Sequence, residues 1–408
     1  MPPSLLENDR KVAHESSRAI ASGATGSEFS YELLATDPRS RARLGSIRTR
    51  RGPIQTPVFM PVGTQATIKT LHPAEVERLG AQIVLANTYH LMLRPGPELV
   101  DQAGGLHAFM RWNRPILTDS GGFQIFSLAQ QAKVTEDGVR FRSHIDGSLH
   151  MLTPERAVDI QAQLGSDIMM ALDHLVGLPA KSRKIYDATT RTHRWLDRCI
   201  TALAESDRPR KGVLFGICQG GMEPDLRKFS AQFVASADVA GVAIGGLSVG
   251  ETKAEMAEML DIVVPELPRH KPRYLMGVGS PEDLWNGVSQ GIDMFDCVLP
   301  TRLARNGSLF TPEGRIDVLH RAHRESFEPI DPDCDCETCL QFDRAYLHHL
   351  FRAHEVLGLR LASVHNLRFL TRQMESMRAA IAAGTFESAR SDFLARYRVA
   401  GPRTGSQA

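Results

Sequence analysis

The sequence has no long hydrophobic run, and this absence narrows the class of protein. No stretch approaches the roughly 20 consecutive apolar residues that cross a bilayer. Residues 1–29 are rich in serine, alanine and charged side chains and lack the apolar segment of a secretory signal. We therefore expect a soluble, cytoplasmic protein with no membrane partner, in which residues 1–29 form a disordered N-terminal extension.

An excess of charge of one sign is also missing. The chain holds 48 Lys and Arg against 47 Asp and Glu, so the whole protein carries no basic field of the kind that indicates a nucleic-acid partner. Binding to RNA would have to depend on a local patch, and charge alone favours an ordinary solvated surface. The candidate patch is a group of arginines close together in sequence, namely Arg302, Arg305, Arg315, Arg321 and Arg324.

Cysteine is scarce, and half of the six cysteines lie in one short segment. Cys334, Cys336 and Cys339 have the spacing of a structural zinc site, which needs a fourth ligand to complete a tetrahedron. Four downstream histidines are candidates: His348, His349, His354 and His365. Spacing alone does not select one, and His365, expected at the end of the helix that follows the cysteines, is the first choice. A disulfide is the weaker alternative in a chain without an export signal.

Eight short apolar runs alternate with helical patterns, which predicts an α/β fold of the (β/α)₈ TIM-barrel type. The predicted strands are 57–61, 82–86, 115–118, 167–172, 213–218, 241–245, 273–278 and 292–295. The predicted helices are 155–164, 182–204, 223–236, 252–263, 281–289, 342–358 and 366–382. Asp-Gly pairs predict a β-hairpin insert at 133–152. We expect the barrel domain to span 30–390, with a zinc-binding insert at about 300–366 and a C-terminal tail at 391–408.

The ends of the predicted strands carry polar residues that would meet at one mouth of the barrel. A single aspartate there is more often a helix cap than a catalyst. Three aspartates and a glutamine at four strand ends, Asp119, Asp173, Gln219 and Asp296, are harder to explain as caps. They suit recognition of a planar, donor-rich ligand such as the edge of guanine. Paired carboxylates also suit glycosidic chemistry, so a barrel hydrolase acting on a free sugar remains an alternative.

Taken in order, these residues resemble the tRNA-guanine transglycosylase family, in its bacterial form. The resemblance covers about residues 30–390. The matching segments are 87–91 (NTYHL), 118–124 (TDSGGFQ), 219–221 (QGG), 245–251 (GGLSVGE), 274–279 (YLMGVG), 293–302 (DMFDCVLPTR), 305–307 (RNG) and the three clustered cysteines with His365.

The resemblance implies a role for each matched residue. Asp296 would be the nucleophile that attacks C1′ of a tRNA guanosine at wobble position 34, and Asp119 the general acid/base. The base-binding set would be Asp173, Gln219, Gly246, Leu247, Phe123 and Met276. Arg302 and Arg305 would contact the anticodon loop, and Cys334, Cys336, Cys339 and His365 would hold a structural Zn²⁺. The family also implies a homodimer and a 7-deazaguanine base as the second substrate.

Two departures from the family pattern concern the incoming base. Many bacterial members have Glu-Cys after the aspartate that is Asp173 here, whereas this chain has His174 and Leu175. Val249 matches the bacterial pattern and should leave little room for the cyclopentenediol of queuine. We therefore expect the smaller precursor preQ1, with queuine as the alternative. A non-catalytic tRNA-binding subunit is less consistent with the sequence, because Asp119 and Asp296 are both present.

Overall fold

The computed structural model describes residues 29–128 and 130–399. The predicted extension therefore lies outside the described residues except for Phe29, as do residues 400–408 of the predicted tail. No helix within the described ranges combines the length and the apolar character needed to cross a membrane.

In chain order the strands are β1 (Ser30–Thr36), β2 (Arg43–Thr49), β3 (Gly52–Thr56), β4 (Val58–Pro61), β5 (Val84–Ala86), β6 (Ile116–Thr118), β7 (Gln130–Val134), β8 (Val139–Arg142), β9 (Leu149–Leu152), β10 (Ile168–Met170), β11 (Val213–Cys218), β12 (Gly241–Ile244), β13 (Arg273–Leu275), β14 (Met294–Cys297), β15 (Ser308–Thr311) and β16 (Gly314–Asp317).

The helices are α1 (Pro73–Arg78), α2 (Thr88–Leu93), α3 (Pro97–Gln102), α4 (Leu106–Met110), α5 (Gly122–Leu128), α6 (Pro154–Leu164), α7 (Ser182–Glu205), α8 (Pro224–Ser236), α9 (Lys253–Val263), α10 (Pro281–Ser289), α11 (Leu299–Arg305), α12 (Glu337–Gln341), α13 (Arg344–Arg352), α14 (Val356–Ala382) and α15 (Phe386–Arg396). Two short 3₁₀ turns lie at Val264–Glu266 and Arg321–His323.

Eight parallel strands form the predicted barrel. Their order is β4-β14-β13-β12-β11-β10-β6-β5, so each strand from β10 to β14 lies beside the next barrel strand along the chain. The two end strands meet through a parallel bridge between Val62 and Leu85, where Gly63 donates its N–H to the carbonyl of Leu85 at 2.7 Å. The predicted (β/α)₈ barrel is confirmed, and all eight predicted strands are present.

The helices between the strands begin where capping residues predict. Thr153 caps α6 by accepting the N–H of Arg156 at 3.2 Å, and Pro154 occupies the first turn, where it needs no backbone partner. At α10, Ser280 is the capping residue and Pro281 occupies the first turn in the same way. These caps fix the points at which the chain leaves each connection and turns back along the barrel.

The C-terminal helices differ from the prediction. The first predicted helix, 342–358, is interrupted after Arg352, because His354 adopts a left-handed backbone conformation with φ of +57°. From Val356 the chain is then helical without a break to Ala382. His365 therefore lies in the interior of a long helix and not at the end of one, which corrects the position expected from the sequence.

A three-stranded antiparallel sheet, β1–β3, precedes the barrel and was not predicted. Ile47 and Ile54 from this sheet join the cluster of side chains that fills the barrel interior. Arg43 in β2 forms a buried ion pair with Asp293, whose carboxylate also accepts the hydroxyl of Tyr31 at 3.2 Å and the N–H of Arg273 at 2.7 Å. Because Asp293 directly precedes β14, this sheet covers the N-terminal end of the barrel and leaves the C-terminal end as the mouth.

The insert predicted at 133–152 is antiparallel, and β7, β8 and β9 form it as three strands. At the other end of the chain, α15 packs on the barrel through Phe386 and Phe393, whose rings stack on Trp285 with centroids 5.4 Å away in each case. The helix α15 extends from Phe386 to Arg396, across the boundary placed at residue 390.

We predict that Asp293→Ala lowers the free energy of unfolding by about 3–5 kcal/mol, because it leaves the guanidinium of Arg43 buried without its carboxylate. The matched control is Asp261→Ala, which removes an exposed Arg–Asp pair to Arg41 and should change stability by no more than about 1 kcal/mol. Urea unfolding of both variants measures the difference. Equal effects would show that the covering sheet does not depend on the buried pair.

Candidate active site

Three carboxylates lie at the mouth of the barrel, each at the C-terminal end of a strand. Asp119 directly follows β6, Asp173 follows β10, and Asp296 lies within the last two residues of β14. The charge of Asp296 contributes to raising the pKa of Asp119, which agrees with their sharing one mouth. Asp293, only three residues before Asp296, is at the opposite end of the same strand and has a structural role.

Asp296 presents one carboxylate oxygen to the protein and the other to the mouth. Its Oδ1 accepts the hydroxyl of Tyr274 at 2.6 Å and the N–H of Gly277 at 2.7 Å. Its Oδ2 accepts no hydrogen bond from the residues that the structure describes. Burial raises the pKa of Asp296, and the two hydrogen bonds oppose that shift. The carboxyl group is therefore held in one orientation with a free oxygen, as a nucleophile requires.

Asp119 is more buried and lies among hydrogen-bond donors. Asn87 and Gln124 donate their side-chain N–H groups to its Oδ2, at 2.5 and 2.7 Å. The N–H of Thr88 donates to its Oδ1 at 2.8 Å. Burial outweighs these bonds and raises the pKa of Asp119 to about 6. A carboxyl group with a pKa near neutrality can both give and take a proton, which is what general acid/base catalysis requires.

Asp173 and Gln219 contact each other at the same mouth, where we predict the slot for the base. The amide of Gln219 donates to Asp173 Oδ2 at 2.6 Å, and the hydroxyl of Ser120 donates to Oδ1 at 3.2 Å. Burial raises the pKa of Asp173. Gly246 lies against the same amide, because a Cβ at this position would come within 2.4 Å of Gln219 Oε1. The structure thus brings Asp173, Gln219 and Gly246 together, with Leu247 buried next in sequence.

The two expected stacking residues, Phe123 and Met276, lie on different elements near the predicted slot. Phe123 is half exposed in the first turn of α5, next to Gly122, where an added Cβ would lie 3.0 Å from Asp173 Oδ1. Met276 directly follows β13, and its sulfur would lie 3.6 Å from a Cβ on Gly245. Both residues therefore lie near Asp173 or Gly245, and their stacking on a planar base remains a prediction.

Several residues of the site had no assigned role in the sequence analysis. Tyr274, Asn87 and Gln124 belong to matched segments, and only the structure shows that they orient Asp296 and Asp119. Arg227, on α8, gave no signal in the sequence, yet its guanidinium donates to the carbonyls of Gly221, Gly245 and Gly246 at 2.7, 2.7 and 2.9 Å. Glu251 closes the next loop by accepting the N–H groups of Ser248 and Val249.

The imidazole of His174 is directed away from the slot. Its Nδ1 lies 3.1 Å from Arg191 Nη1, and its ring packs on Trp195, both on α7. Burial and the charge of Arg191 lower the pKa of His174 to about 4, so it is neutral at physiological pH. His174, where this chain departs from the family pattern, therefore contributes no positive charge to the mouth at neutral pH.

The arginine pair lies on α11, which begins two residues after β14. Arg302 is exposed, and Arg305 is partly buried. Arg305 Nη1 is buried and has no hydrogen-bond partner within the described part of the chain. It lines a cavity of about 340 Å³ together with Leu319, Phe351 and His354. Burial raises the pKa of Cys297 to about 11 and the charge of Arg302 opposes that shift, so Arg302 lies near the neighbour of Asp296, and Arg305 follows one turn later on α11.

The predicted metal ligands come together. One ligand atom from each of Cys334, Cys336, Cys339 and His365 lies within 4.8 Å of every other. His365 Nδ1 is 3.2 Å from the sulfur of Cys339 and 3.7 Å from that of Cys336. His365 Nε2 lies 2.7 Å from the carbonyl oxygen of Phe310 and donates its proton there, which leaves Nδ1 as the ligand atom. This Cys₃His group could hold a metal ion and leaves no position open for catalysis.

These features define a (β/α)₈-barrel enzyme with a buried pair of catalytic-type carboxylates and a separate metal-binding insert. Residues 37–399 match the family model described as queuine tRNA-ribosyltransferase. Among similar proteins, the queuine tRNA-ribosyltransferase of Herpetosiphon aurantiacus is 58% identical over 370 residues, covering 91% of this chain and 93% of its own. The Symbiobacterium thermophilum protein of the same name is 57% identical over 367 residues, covering 90% and 91%. That of Pelotomaculum thermopropionicum is 54% identical over 369 residues, covering 90% and 99%.

The chain therefore belongs to the queuine tRNA-ribosyltransferase family, and it is a pentosyltransferase. Both the recognised family and the expected class of enzyme are confirmed. The roles of the individual site residues remain predictions.

We predict that Cys336→Ala lowers the content of bound metal and the stability of the protein together, the latter by an amount on the order of several kcal/mol. The physical reason is that the free energy of binding at a structural metal site is part of the free energy of folding. Elemental analysis and thermal unfolding measure the two quantities. Cys199→Ala, at a buried cysteine outside the group, is the control and should keep its metal. A variant at Cys336 that keeps both its metal and its stability would contradict this assignment.

Proposed function

We propose that this protein is a tRNA-guanine transglycosylase that replaces guanine at wobble position 34 of tRNA with preQ1, as a step in queuosine synthesis. One observation carries the proposal beyond the family: Asp296 holds a free oxygen at the mouth that it shares with Asp119, and the pKa of Asp119 is about 6. One group is thus suited to attack and the other to proton transfer. We place the reaction in the cytoplasm, where tRNA is modified.

In the first displacement, Asp296 Oδ2 attacks C1′ of the target nucleoside. A bond forms between that oxygen and C1′, the C1′–N9 bond breaks, and its electron pair leaves with guanine. Asp119 supplies the proton that the departing base takes up. The product is a covalent ribosyl ester of Asp296, in which the RNA backbone is intact.

In the second displacement, N9 of the incoming base attacks C1′ and the ester bond to Asp296 breaks. Asp119 takes the proton from the incoming base and returns to its starting state. Two inversions at C1′ give retention of configuration. The hydrogen bonds from Tyr274 and Gly277 act in both steps, because they stabilise the carboxylate when it is free and fix its orientation for attack.

The slot formed by Asp173, Gln219, Gly246 and Leu247 would read the base. A carboxylate accepts from the ring N–H and the amino group of guanine, while amide and backbone N–H groups donate to its carbonyl. Phe123 and Met276 would cover the two faces of the ring. The target nucleotide must leave its stack to enter, and anticodon-loop residues are already partly free of pairing.

Three further features belong to the same proposal. Arg302 and Arg305 would contact the phosphates of the anticodon loop, where paired N–H donors suit phosphate oxygens. The Cys₃His group would hold Zn²⁺, since three thiolates and an imidazole are its preferred tetrahedral set. Two copies of the chain would pair, as the resemblance to the family implies.

We predict that purified protein incorporates labelled guanine into tRNA and that Asp296→Asn reduces the rate by about 1,000-fold or more, because the amide cannot form the ester. Denaturing electrophoresis of enzyme with tRNA should show a covalent adduct in the wild type and none in Asp296→Asn. The control is Asp261→Asn, on the outer surface. Normal exchange by Asp296→Asn would reject the nucleophile, and an inactive wild type with its metal bound would reject the function.

We predict that preQ1 outcompetes queuine for the same tRNA when both bases are offered together. The reason is that the side chain of Val249, in the loop after β12, would leave little room for the cyclopentenediol of queuine. Val249→Gly should raise the use of queuine relative to preQ1 by about tenfold, the order expected for removing a few methyl-sized groups from a pocket. Mass spectrometry of digested tRNA measures both products. Equal use of the two bases by the wild type would contradict the choice of preQ1.

A further inference from the structure

Arg227 is a fully buried arginine. It forms no ion pair with any of the proposed base-binding side chains among the described residues. It lies in the first turns of α8, and its side chain is 0% exposed. All three of its guanidinium nitrogens donate to backbone carbonyls: Nε to Gly221, Nη1 to Gly245 and Nη2 to Gly246. These carbonyls belong to the loops that follow β11 and β12, the two loops that carry Gln219 and Gly246.

The charge of Arg227 has no direct counter-ion. Within the described part of the chain, no carboxylate lies within 4 Å of its guanidinium, which is the limit for an ion pair. Burying a cation without a contacting anion is unfavourable, and burial lowers the pKa of Arg227 to about 10, with Cys218 and the more distant charge of Glu251 opposing that shift. It stays protonated at neutral pH. Uncharged hydrogen-bond donors would be enough to link the two loops. The positive charge of Arg227 therefore needs a separate explanation.

The bonds of Arg227 fix the direction of two consecutive peptide groups. In a trans peptide the C=O and the following N–H point in opposite directions. Because the carbonyls of Gly245 and Gly246 point at the guanidinium, the N–H groups of Gly246 and Leu247 point away from it. Among the described residues, neither of these N–H groups has a backbone or side-chain acceptor. The backbone at Gly246 has a φ of +66°, which glycine adopts without strain.

The same helix also holds the neighbouring loop. Ser230, one turn after Arg227 on α8, accepts the backbone N–H of Gln219 at 3.0 Å, and its hydroxyl lies 3.0 Å from His193 Nε2. Arg227 and Ser230 thus fix both loops to one rigid element, and neither residue needs to reach the slot. Two unpaired N–H groups beside Gln219, with a cation behind them, form a receptor for a carbonyl oxygen that gains negative charge.

We propose that Arg227 is a positioning residue that directs the N–H groups of Gly246 and Leu247 at the six-carbonyl oxygen of the purine and stabilises the negative charge that develops there. The proposal rests on the proposed function. When the C1′–N9 bond breaks, its electron pair passes to N9 and is delocalised through the ring to that oxygen. Donors already oriented toward the oxygen, with a buried charge behind them, stabilise this state more than the neutral base.

The test compares Arg227→Met, which removes the charge and the donors, with Arg227→Lys, which keeps the charge but cannot reach three carbonyls. Lys228→Met is the matched control, because Lys228 is the next residue on α8 and forms an exposed pair with Glu266. We expect kcat for guanine exchange to fall about 100-fold in Arg227→Met and less in Arg227→Lys, with Lys228→Met unchanged. Metal content and the melting temperature confirm folding.

A second measurement distinguishes a change in the orientation of the Gly246 and Leu247 N–H groups from a general loss of structure. Calorimetry measures the binding of guanine and of 6-thioguanine, in which a weakly accepting sulfur replaces only the six-carbonyl oxygen. The wild type should bind guanine more tightly than 6-thioguanine. We expect the ratio of the two dissociation constants to fall about tenfold in Arg227→Met and by a smaller factor in Arg227→Lys. If Arg227→Met does not fold, Arg227→Lys alone decides.

An unchanged preference and an unchanged kcat in a folded Arg227 variant would overturn the inference and leave the proposed function standing. The binding measurement does not need catalysis. A wild type that exchanges no guanine would reject the proposed function, whereas a preference that narrows in the Arg227 variants would still support the aiming of the two N–H groups by Arg227.

Discussion

Parallel pairing of the eight barrel strands is the constraint on which the rest of the molecule depends. Because every strand runs in the same direction, residues that follow β6, β10, β11, β12, β13 and β14 must meet at one end, however far apart they are in sequence. The closing bridge between Val62 and Leu85 completes the ring. The opposite end is covered by β1–β3, which the buried pair of Arg43 and Asp293 attaches to the strand that carries Asp296. One strand thus connects the cover at the N-terminal end to the chemistry at the mouth.

Similar side chains acquire different properties at this mouth, and the balance between burial and hydrogen bonding explains the difference. Asp119 has donors around both oxygens, yet burial dominates and its pKa is raised to about 6. Asp296 has its donors on one oxygen only and keeps the other free. Asp173 accepts one hydrogen bond on each oxygen, from Ser120 and from Gln219. These different surroundings support the proposed division of roles, in which Asp119 is the acid/base, Asp296 the nucleophile and Asp173 a recognition group.

The sequence was sufficient to predict the elements with strong periodicity, and it failed where tertiary contacts decide. The eight strands are continuous apolar runs, and caps such as Thr153 and Ser280 mark the helix starts, so these were predicted well. The covering sheet was missed because β1 and β2 alternate polar and apolar residues weakly. The break at His354 depends on a backbone conformation that histidine rarely adopts. The sequence did not predict the buried position of Arg227, because an arginine in a helix usually lies at the surface. Its burial depends on hydrogen bonds to three carbonyls, two of which are distant in sequence.

The metal-binding insert is linked to α11 by hydrogen bonds from His365 and its neighbour Asn366. His365 donates to the carbonyl of Phe310, and the next residue on α14, Asn366, accepts the N–H of Phe310 at 3.0 Å. Asn366 also donates to the carbonyls of Pro300 and Ser308, each at 3.0 Å, so it holds both ends of the segment that contains α11. That helix carries Arg302 and Arg305 and begins two residues after β14. A metal ion bound to His365 would therefore stabilise the orientation of the arginines relative to Asp296, although it lies outside the reaction. We propose that the insert holds Arg302 and Arg305, the arginines proposed to contact tRNA, at a set distance from Asp296, the proposed nucleophile.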